Sequence, residues 1–338
     1  METQKINTAV VILNWNGIDW LKKFLPIIID KSKIANIYLA DNASDDNSVE
    51  FVKNTFPTVN IIQNLYNVGF AKGYNQALSK LTERYFVLIN SDIEVTNNWI
   101  EPIINLMEDD ESISACQPKI LDYNHKEKFE YAGASGGFLD NLGYPFCRGR
   151  IFDSLEHDRN QYNDISEVFW ATGACLFVRS KHFNEVNGFD NDFFAHQEEI
   201  DLCWRLKNKG YKVMVNPQSI VYHVGGGTLD SSSPFKTYLN FRNNLYMLFK
   251  NLPVTDLIKT IFLRLILDGI AGLKFITKKR GLSHVLAILR AHIVFYLNLP
   301  RLILKRQKIN QCSNLRGKYN WSILYRYYFK DQKTYSEL

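Results

Sequence analysis

The sequence predicts an α/β protein with a mostly parallel sheet flanked by helices, and three observations support this fold class. Short apolar runs typical of buried strands alternate four times with stretches of helical periodicity. Each of these runs is followed by Asn, Asp, Ser or Gly. Connections of one hand bring the ends of parallel strands to one edge of the sheet, where open α/β sheets bind their ligands. We therefore expect a ligand site at that edge.

The predicted elements follow these runs in chain order. Strands are predicted at residues 8–13, 34–39, 59–63 and 85–89, and helices at 19–29, 49–56, 70–81 and 99–108. Later strands are predicted at 114–121, 167–178, 211–215 and 219–223, and later helices from residue 197 and at 235–249. Residues 123–164 are polar and rich in glycine, which predicts a long loop.

The fourth predicted strand carries the first candidate site residues. Its apolar run, Tyr85 to Ile89, is followed at once by Asn90, Ser91 and Asp92. A carboxylate on a rigid element at the ligand edge can hold a hard divalent cation, and the cation can hold phosphate oxygens. The alternative is that Asp92 simply forms the turn after a strand.

Three later segments also carry candidates, each with a structural alternative. Small residues at 172–174 would let a ligand approach the backbone closely, or they mark a bulge in a core strand. Glu198 and Asp201 share a predicted helix face with Arg205, either as a general-base setting beside apolar walls or as an ion pair at a helix start. His223 ends a strand before a glycine run, where it would serve as a late ligand or pack as a structural histidine.

Composition and missing motifs narrow the classes of function. The chain is 46% apolar and 22% charged, as in an ordinary folded protein. Its five cysteines form no C-x-x-C pair, which argues against a zinc site or a disulfide framework. The glycine-rich phosphate motifs of dinucleotide-binding and P-loop proteins are absent, so carboxylates and a metal would have to handle a nucleotide's diphosphate. The first residues lack a signal-peptide design, and we expect a cytoplasmic protein.

Charge divides the chain near residue 250. Residues 1–250 carry 24 Lys and Arg against 31 Asp and Glu, whereas residues 251–338 carry 16 against 4. We expect a nucleotide-binding domain at 1–250 and a basic, helical C-terminal extension at 251–338. The extension contains no run of about 18 uncharged apolar residues, so the sequence predicts no membrane-spanning helix there. The extension is expected either to lie in a membrane surface or to pack as a helical subdomain; nucleic acid is not expected, because no recognition motif accompanies the charge.

Five separated motifs between residues 9 and 244 resemble the inverting family 2 glycosyltransferases, whose GT-A fold is Rossmann-like. VVILNWN is similar to the opening strand that lines the nucleotide base, and DNAS contains an Asp that matches the base- or ribose-binding Asp. The stretch Asn67-Val-Gly69 resembles the start of the nucleotide-side helix. The resemblance assigns donor binding to Leu13, Asn16, Asp41, Asn67, Gly69, Lys72, Asn75, Asn90 and Asp92.

The same resemblance assigns the catalytic and metal residues. Asn90-Ser91-Asp92 stands where the family has D-x-D, and with Asn in the first place Asp92 is the metal ligand, joined by His223 as in some members. Glu198-Glu199 stands where members often carry Glu-Asp, which makes Glu199 the general base. The resemblance assigns sugar or acceptor contacts to Trp170, Gly173, Ala174, Glu198 and Asp201.

The activity implied is metal-dependent transfer of a sugar from a nucleotide-diphosphate sugar to an acceptor hydroxyl, with inversion and with Mg²⁺ or Mn²⁺ as cofactor. The chain is similar to bacterial rhamnosyltransferase-like enzymes of polysaccharide biosynthesis, which implies a cell-surface glycan or lipid-linked acceptor. The basic extension lies outside the resemblance; if it lies in a membrane surface, the expected location is peripheral, on the cytoplasmic face of the inner membrane.

Two other functions remain open on the sequence. A non-catalytic nucleotide-sugar or glycan binding protein would share the fold, and Asn90 in place of Asp favours it. A nucleotidyltransferase would share the metal-bound diphosphate chemistry. It should carry a Gly-rich loop with Arg and Lys after the first strand, and residues 14–17 do not form one.

Overall fold

A computed structural model describes residues 7–225, 233–277, 280–313 and 315–338. The strands within those residues are β1 Thr8–Asn14, β2 Asn36–Asp41, β3 Asn60–Gln63, β4 Tyr85–Asn90, β5 Ile93–Val95, β6 Ile113–Asp122, β7 Gly137–Leu139, β8 Pro145–Cys147, β9 Arg150–Ile151, β10 Ser154–Leu155, β11 Ser166–Glu167, β12 Cys175–Arg179 and β13 Lys212–His223. The helices are α1 Ile18–Lys31, α2 Ser48–Thr55, α3 Gly69–Leu78, α4 Glu101–Asp109, α5 Ser180–Glu185, α6 Glu198–Asn208, α7 Pro234–Asn251, α8 Val254–Ile276, α9 Gly281–Leu297, α10 Leu299–Arg306 and α11 Ile323–Phe329, followed by a 3₁₀ turn at Tyr335–Glu337.

The central sheet confirms the predicted fold class. Within the described residues it has nine strands in the order β11-β13-β6-β12-β4-β1-β2-β3, with β5 pairing to β13. The strands β3, β2, β1 and β4 pair in parallel, as do β6 and β13. β12 runs antiparallel between β4 and β6 and joins the two parallel groups. The ends of β1, β2 and β4 therefore lie at one edge, as the strand–helix alternation predicts.

Helices cover both faces of this sheet because their apolar residues recur at helical spacing. On α1, Leu21, Phe24, Leu25 and Ile28 are buried and the intervening charged residues are exposed. On the strands the burial is nearly continuous, as expected where both faces are covered. The covered sheet leaves its edge of strand ends as the place where polar groups converge.

Three predicted elements differ from the structure. Residues 123–164, predicted as a loop, contain a four-stranded antiparallel sheet of β7 to β10 with Phe138 and Phe146 in its core. Its strands are two or three residues long, too short for a periodic signal. The predicted strand 167–178 is two strands, β11 and β12, separated at the small residues. The predicted strands 211–215 and 219–223 form one strand, β13, with a register shift between Asn216 and Ile220.

The C-terminal extension has two parts. Helices α8, α9 and α10 pack on α7, which ends at Asn251, near the predicted boundary. Residues 315–338 return to the small sheet: the backbone NH of Leu139 donates to Gly317, and the NH of Tyr319 donates back to Leu139. Rings of Tyr319 and Tyr335 pack on Phe138. The predicted division at residue 250 stays a prediction, and the last residues of the chain are part of the body's packing.

Among the described helices, none alone is long and apolar enough to cross a bilayer. The pair α9 and α10, which meet at a bend of 62°, meets the length and composition requirements only when the two are taken together.

Candidate active site at the strand ends

Asp92 and His223 lie side by side where β4 and β13 end. His223 on β13 pairs with Ile93 on β5, and this pairing brings His223 close to Asp92. Nε2 of His223 is 3.2 Å from Oδ1 of Asp92, and the amide nitrogen of Asn90 is 3.4 Å from the same ring nitrogen. Both the carboxylate and the imidazole are buried. The structure thus brings together the two residues predicted as metal ligands.

Glu130 completes this group from the other side of the imidazole, and sequence reasoning missed it. Its Oε1 is 3.3 Å from Nδ1 of His223, so the ring lies between two carboxylates. Burial opposes the imidazolium charge, but Glu130 and Asp92 outweigh that effect and raise the pKa of His223 to about 10. Glu130 follows β6 in the segment predicted as a loop, where no pattern distinguishes it from other loop carboxylates.

Asp41 organises the predicted nucleotide side of the edge. It ends β2, is buried, and accepts hydrogen bonds from the amide of Asn14 at 3.1 Å and from the backbone and hydroxyl of Ser44 at 3.0 and 2.6 Å. The Ser44 hydroxyl also accepts from the backbone NH of Asn16. These bonds fix the turn after β1 to the turn after β2. In this region Asn16 is exposed and Leu13 is half-buried.

Asn42, the second residue missed by the sequence reasoning, ties the next turn to the same edge. Its side-chain NH₂ donates to Asn67 Oδ1 at 3.0 Å and to the carbonyl of Gly69 at 3.1 Å. Gly69 has φ +80° and lies so close to Phe194 that a Cβ would be 2.4 Å from its carbonyl oxygen. Only glycine fits there. Lys72 is exposed in the first turns of α3, which begins at this contact.

Gly173 and Ala174 connect the strand ends to Glu199. The backbone NH of Asn90 donates to the carbonyl of Ala174 at 3.0 Å. A Cβ on Gly173 would lie 3.7 Å from Cβ of Glu199 and 3.1 Å from the ring of Phe70. The start of α6 therefore adjoins the end of β4 through two small residues, and a side chain at 173 would narrow this approach.

Glu198 and Glu199 form a pair of neighbouring carboxyl groups at the start of α6. In the described part of the chain, Oε2 of each is buried with no hydrogen-bond partner. Burial raises the pKa of Glu199 to about 7, although backbone NH groups at the helix start lower it. Burial, reinforced by the charge of Glu199, raises the pKa of Glu198 well above its usual range. One carboxylate of this pair can exchange a proton near neutral pH, which is a property suited to acid–base chemistry.

The family of the chain follows from a match that covers more than half of it. Residues 9–183 match the family model described as glycosyl transferase family 2. The chain belongs to this family. The matched region contains all the strand ends described above except that of β13, and it stops before α6.

Several curated relatives of this glycosyltransferase carry names of the same kind. The N-acetylglucosaminyl-diphospho-decaprenol L-rhamnosyltransferase of Mycobacterium tuberculosis (strain CDC 1551 / Oshkosh) is 24% identical over 63% of this chain and 75% of its own length. Rhamnosyltransferase WbbL of Escherichia coli (strain K12) is 24% identical over 63% of this chain and 82% of its own. Family membership makes the chain a glycosyltransferase, and no comparison favours the non-catalytic alternative.

Solved structures confirm the GT-A fold. A crystal structure of GalNAc-T7 with UDP, GalNAc and Mn²⁺ superimposes with a TM-score of 0.58 at 17% identity, covering 75% of this chain and about half, 49%, of that one. The mannosyltransferase PcManGT of Pyrobaculum calidifontis, in complex with GDP-Man and Mn²⁺, gives a TM-score of 0.52 at 11% identity over 91% and 88% of the two chains.

Two residues predicted for the acceptor pocket of the glycosyltransferase have packing roles instead. Trp170 is 2% exposed, its indole NH donates to the carbonyl of Phe138, and its ring fills the space above Gly137. Asp201 is fully buried and paired with Lys250 and Arg205, each at 2.8 Å. Neither side chain has a surface that an acceptor could contact, so these two predictions do not fit the structure. The Asp201–Arg205 pair is the alternative that the helix spacing had left open.

Asn75, predicted to bind the donor, also serves the fold. Its amide donates to the carbonyl of Phe189 at 2.8 Å and accepts from the NH of the same residue at 3.0 Å. A second 2.8 Å bond goes to Asn191. With both ends of the amide engaged, Asn75 holds the loop before α6 against α3. The remaining predicted donor residues lie along the edge and stay predictions.

Proposed function

We propose that this glycosyltransferase is a metal-dependent, inverting enzyme that acts in the cytoplasm on a nucleotide-diphosphate sugar and an acceptor hydroxyl. The observation that carries the proposal is that Gly173 and Ala174 link the start of α6 to the end of β4. A half-buried carboxylate, Glu199, lies beside Gly173 and has a pKa of about 7 because of burial. A general base works best when its pKa is near the working pH.

The donor atoms at the end of β4 fit a divalent cation such as Mn²⁺ or Mg²⁺. Asp92 offers a carboxylate oxygen and His223 an imidazole nitrogen, 3.2 Å apart. Among the described residues, no group of three or more His, Cys, Asp or Glu is arranged to hold a metal. Two protein ligands suit a cation that takes its other ligands from the donor's phosphates and from water. A cation held by Asp92 and His223 would supply positive charge to offset the charge that develops on the departing diphosphate.

The proton steps belong to the pair at the start of α6. Glu199 accepts the proton of the acceptor hydroxyl while the acceptor oxygen forms its bond to the anomeric carbon. The diphosphate leaves from the opposite face of the sugar, so the configuration inverts. Glu198 keeps its own proton, because burial and the charge of Glu199 raise its pKa. The pair therefore carries one negative charge before the reaction and none after it, which limits the cost of burying it.

The donor and acceptor are proposed from the relatives. Leu13, Asn16 and Asp41 would contact the base and ribose, and Asn67, Gly69 and Lys72 the phosphates. A deoxythymidine-linked rhamnose or a uridine-linked hexose is the proposed donor, and a cell-surface glycan or lipid-linked oligosaccharide the acceptor. Two relatives named as rhamnosyltransferases support this choice, one of them with a diphospho-decaprenol acceptor in its name. A screen of nucleotide sugars for thermal shift with Mn²⁺ identifies the donor.

The substitution Glu199→Gln tests the proposed base. It preserves shape and removes the proton acceptor, so kcat should fall by roughly 10²- to 10⁴-fold, the contribution of a positioned base. Calorimetric affinity for the donor with Mn²⁺ should not change. Glu50→Gln, at an exposed position on α2, is the matched control and should retain full activity. A Glu199→Gln enzyme with near wild-type kcat would show that another group takes the proton.

A further inference from the structure

Helix α8 has its polar residues inside and its apolar residues outside. Thr260, Arg264 and Asp268, spaced four residues apart, are buried against the body. The opposite side of the helix presents large apolar side chains to the exterior, and Ile258 and Phe262 are 78% and 61% exposed. A water-facing helix of a folded domain has the reverse arrangement. The outward side of α8 therefore requires an explanation other than contact with water.

The inward polar side is firmly attached, so the helix cannot turn its apolar side to the core. The guanidinium of Arg264 is 3.1 Å from the Asp268 carboxylate and lies 3.9 Å over the ring of Tyr144. It also donates to the carbonyl of Leu142, and Asp268 lies 3.2 Å from Nε2 of His292 on α9. These contacts place each buried charge beside an oppositely charged or polar group, and they fix which side of α8 faces outward.

The apolar surface continues from α8 onto α9. Ala287 and Ala291 pack inward near α7, while large apolar side chains on the outer side of α9 are more than half exposed. We define the hairpin face by its members on the two helices: Ile258, Phe262, Ile266, Ile270, Leu286 and Ile293. A contiguous apolar surface of this kind marks an interaction site, whereas scattered apolar residues do not.

Charge around the hairpin face is almost entirely positive. Lys259, Lys274 and Arg280 are exposed beside it, and the connection between the helices reads Thr277-Lys-Lys-Arg280 in sequence. In the described part of 254–306 the acidic residues are Asp256, at the start of α8, and the buried Asp268. An apolar surface rimmed by Lys and Arg is complementary to a bilayer with anionic headgroups, where each nearby basic residue adds attraction.

Aromatic side chains on α11 extend the rim. The ammonium of Lys274 lies 3.2 Å from the hydroxyl of Tyr328, which places α11 beside the end of α8. Tyr325 and Phe329 on the same short helix are more than half exposed. Tyrosine and lysine at the border of an apolar surface are typical of the headgroup region of a bilayer.

We propose that the hairpin face docks this enzyme on a bilayer that contains anionic phospholipid, lying in the headgroup region without crossing the membrane. A second copy of the chain would bring one basic rim against another, so the charge favours lipid over self-association. The same helices also support the site: Phe194 and Ala195, in the loop before α6, pack in the cluster that α7 and α9 form. If the proposed function holds, docking presents Glu199 to an acceptor carried on a lipid.

Vesicle co-sedimentation with the full-length chain tests the docking, with no need for donor, metal or activity. Wild-type protein should bind vesicles of phosphatidylcholine mixed with phosphatidylglycerol and bind phosphatidylcholine alone more weakly. The double substitution Ile258→Glu with Phe262→Glu should lower the partition coefficient by about a hundredfold, since each exposed apolar side chain adds roughly tenfold. Leu155→Glu with Ile165→Glu, exposed apolar positions outside the hairpin, adds the same charge and should bind as wild type.

Four results would overturn the proposal. Wild-type protein could stay in the supernatant with both kinds of vesicle, or the two double variants could bind equally. Binding to neutral vesicles as strong as to anionic ones would remove the role of the basic rim. Light scattering could instead show a dimer that the hairpin variant alone converts to monomer, without vesicle binding, and a second copy would then cover the face. Thermal melts of both variants verify folding, and the Glu199→Gln result is independent of all four.

Discussion

The candidate site and the C-terminal hairpin of α8 and α9 both bury ionisable side chains, but only the hairpin pairs them with opposite charges. At the edge, Glu198 and Glu199 are adjacent carboxyl groups at the start of α6, and in the described residues one oxygen of each has no hydrogen-bond partner. In the hairpin, Arg264 and Asp268 carry opposite charges and lie 3.1 Å apart. Burial of a carboxyl group without a partner of opposite charge raises its pKa into the working range, at a cost in stability. Opposite charges held together attach a helix whose other side is apolar.

This difference predicts which property of the protein each set of buried charges affects. The paired charges of the hairpin should matter for stability and little for turnover, whereas the unpaired carboxylates of the edge should matter for turnover and its pH dependence. Three measurements test that distinction, beginning with the largest expected effect.

The substitution Asp268→Ala should lower the free energy of unfolding by about 3–5 kcal/mol, because it leaves the Arg264 guanidinium buried without its carboxylate partner. Urea denaturation monitored by circular dichroism measures the loss. Asp256→Ala, at the exposed start of the same helix, should cost less than about 1 kcal/mol. Equal losses for the two variants would contradict the anchoring role of the buried pair. Turnover per folded molecule should remain close to wild type.

The substitution Glu130→Gln should weaken Mn²⁺ binding by roughly 10- to 100-fold, the usual effect of removing a carboxylate that orients a metal-binding histidine. The reason is that Glu130 lies at Nδ1 of His223 while Asp92 lies at Nε2. Calorimetric titration of Mn²⁺ with a nucleoside diphosphate present measures the affinity. Glu127→Gln, an exposed neighbour, is the control. An unchanged affinity would mean that His223 needs no support from Glu130.

Turnover should depend on pH through Glu199. Its folded pKa is about 7 against an ordinary value of 4.5, so kcat/KM should fall about tenfold per pH unit below 7 and level off above it. The contribution of Glu199 to the stability of the fold should change with pH in the opposite direction. Protonation of Glu199 stabilises the fold fully below pH 4.5, and that contribution is lost as the pH rises to about 7. Denaturation of wild type and Glu199→Gln across this window should show a smaller loss of stability with rising pH in the variant, and the difference between the two is the contribution of Glu199.

Much of the fold could be predicted because its signals are local. Strands β1 and β4 are continuous apolar runs, and α1 and α3 bury residues at regular helical spacing, so period and length identify them. The small sheet of β7 to β10 could not be found this way. Its short strands are held by contacts with Tyr319 and Tyr335, which are far away in the chain.

The candidate site was predictable where a residue type signals its chemistry. Asp92 and His223, each at a strand end, lie together as the topology predicts. Trp170 and Asp201 were assigned to a pocket through the family resemblance, but both are buried in packing. Residue type alone does not distinguish a carboxylate facing a ligand from one facing Lys250. That distinction depends on which side of α6 faces the body.

By itself, the sequence determined the α/β class, the polar edge of strand ends, and the carboxylates and histidine available for chemistry. These depend on the order of apolar and polar residues along the chain, which hydrophobic burial converts into strands and helices. Only the tertiary structure decided that Glu130 supports His223, that Asp201 is an internal ion pair, and that α8 turns its charges inward. Those outcomes depend on contacts between distant segments, and such contacts set which side of an element is buried and what stands opposite it.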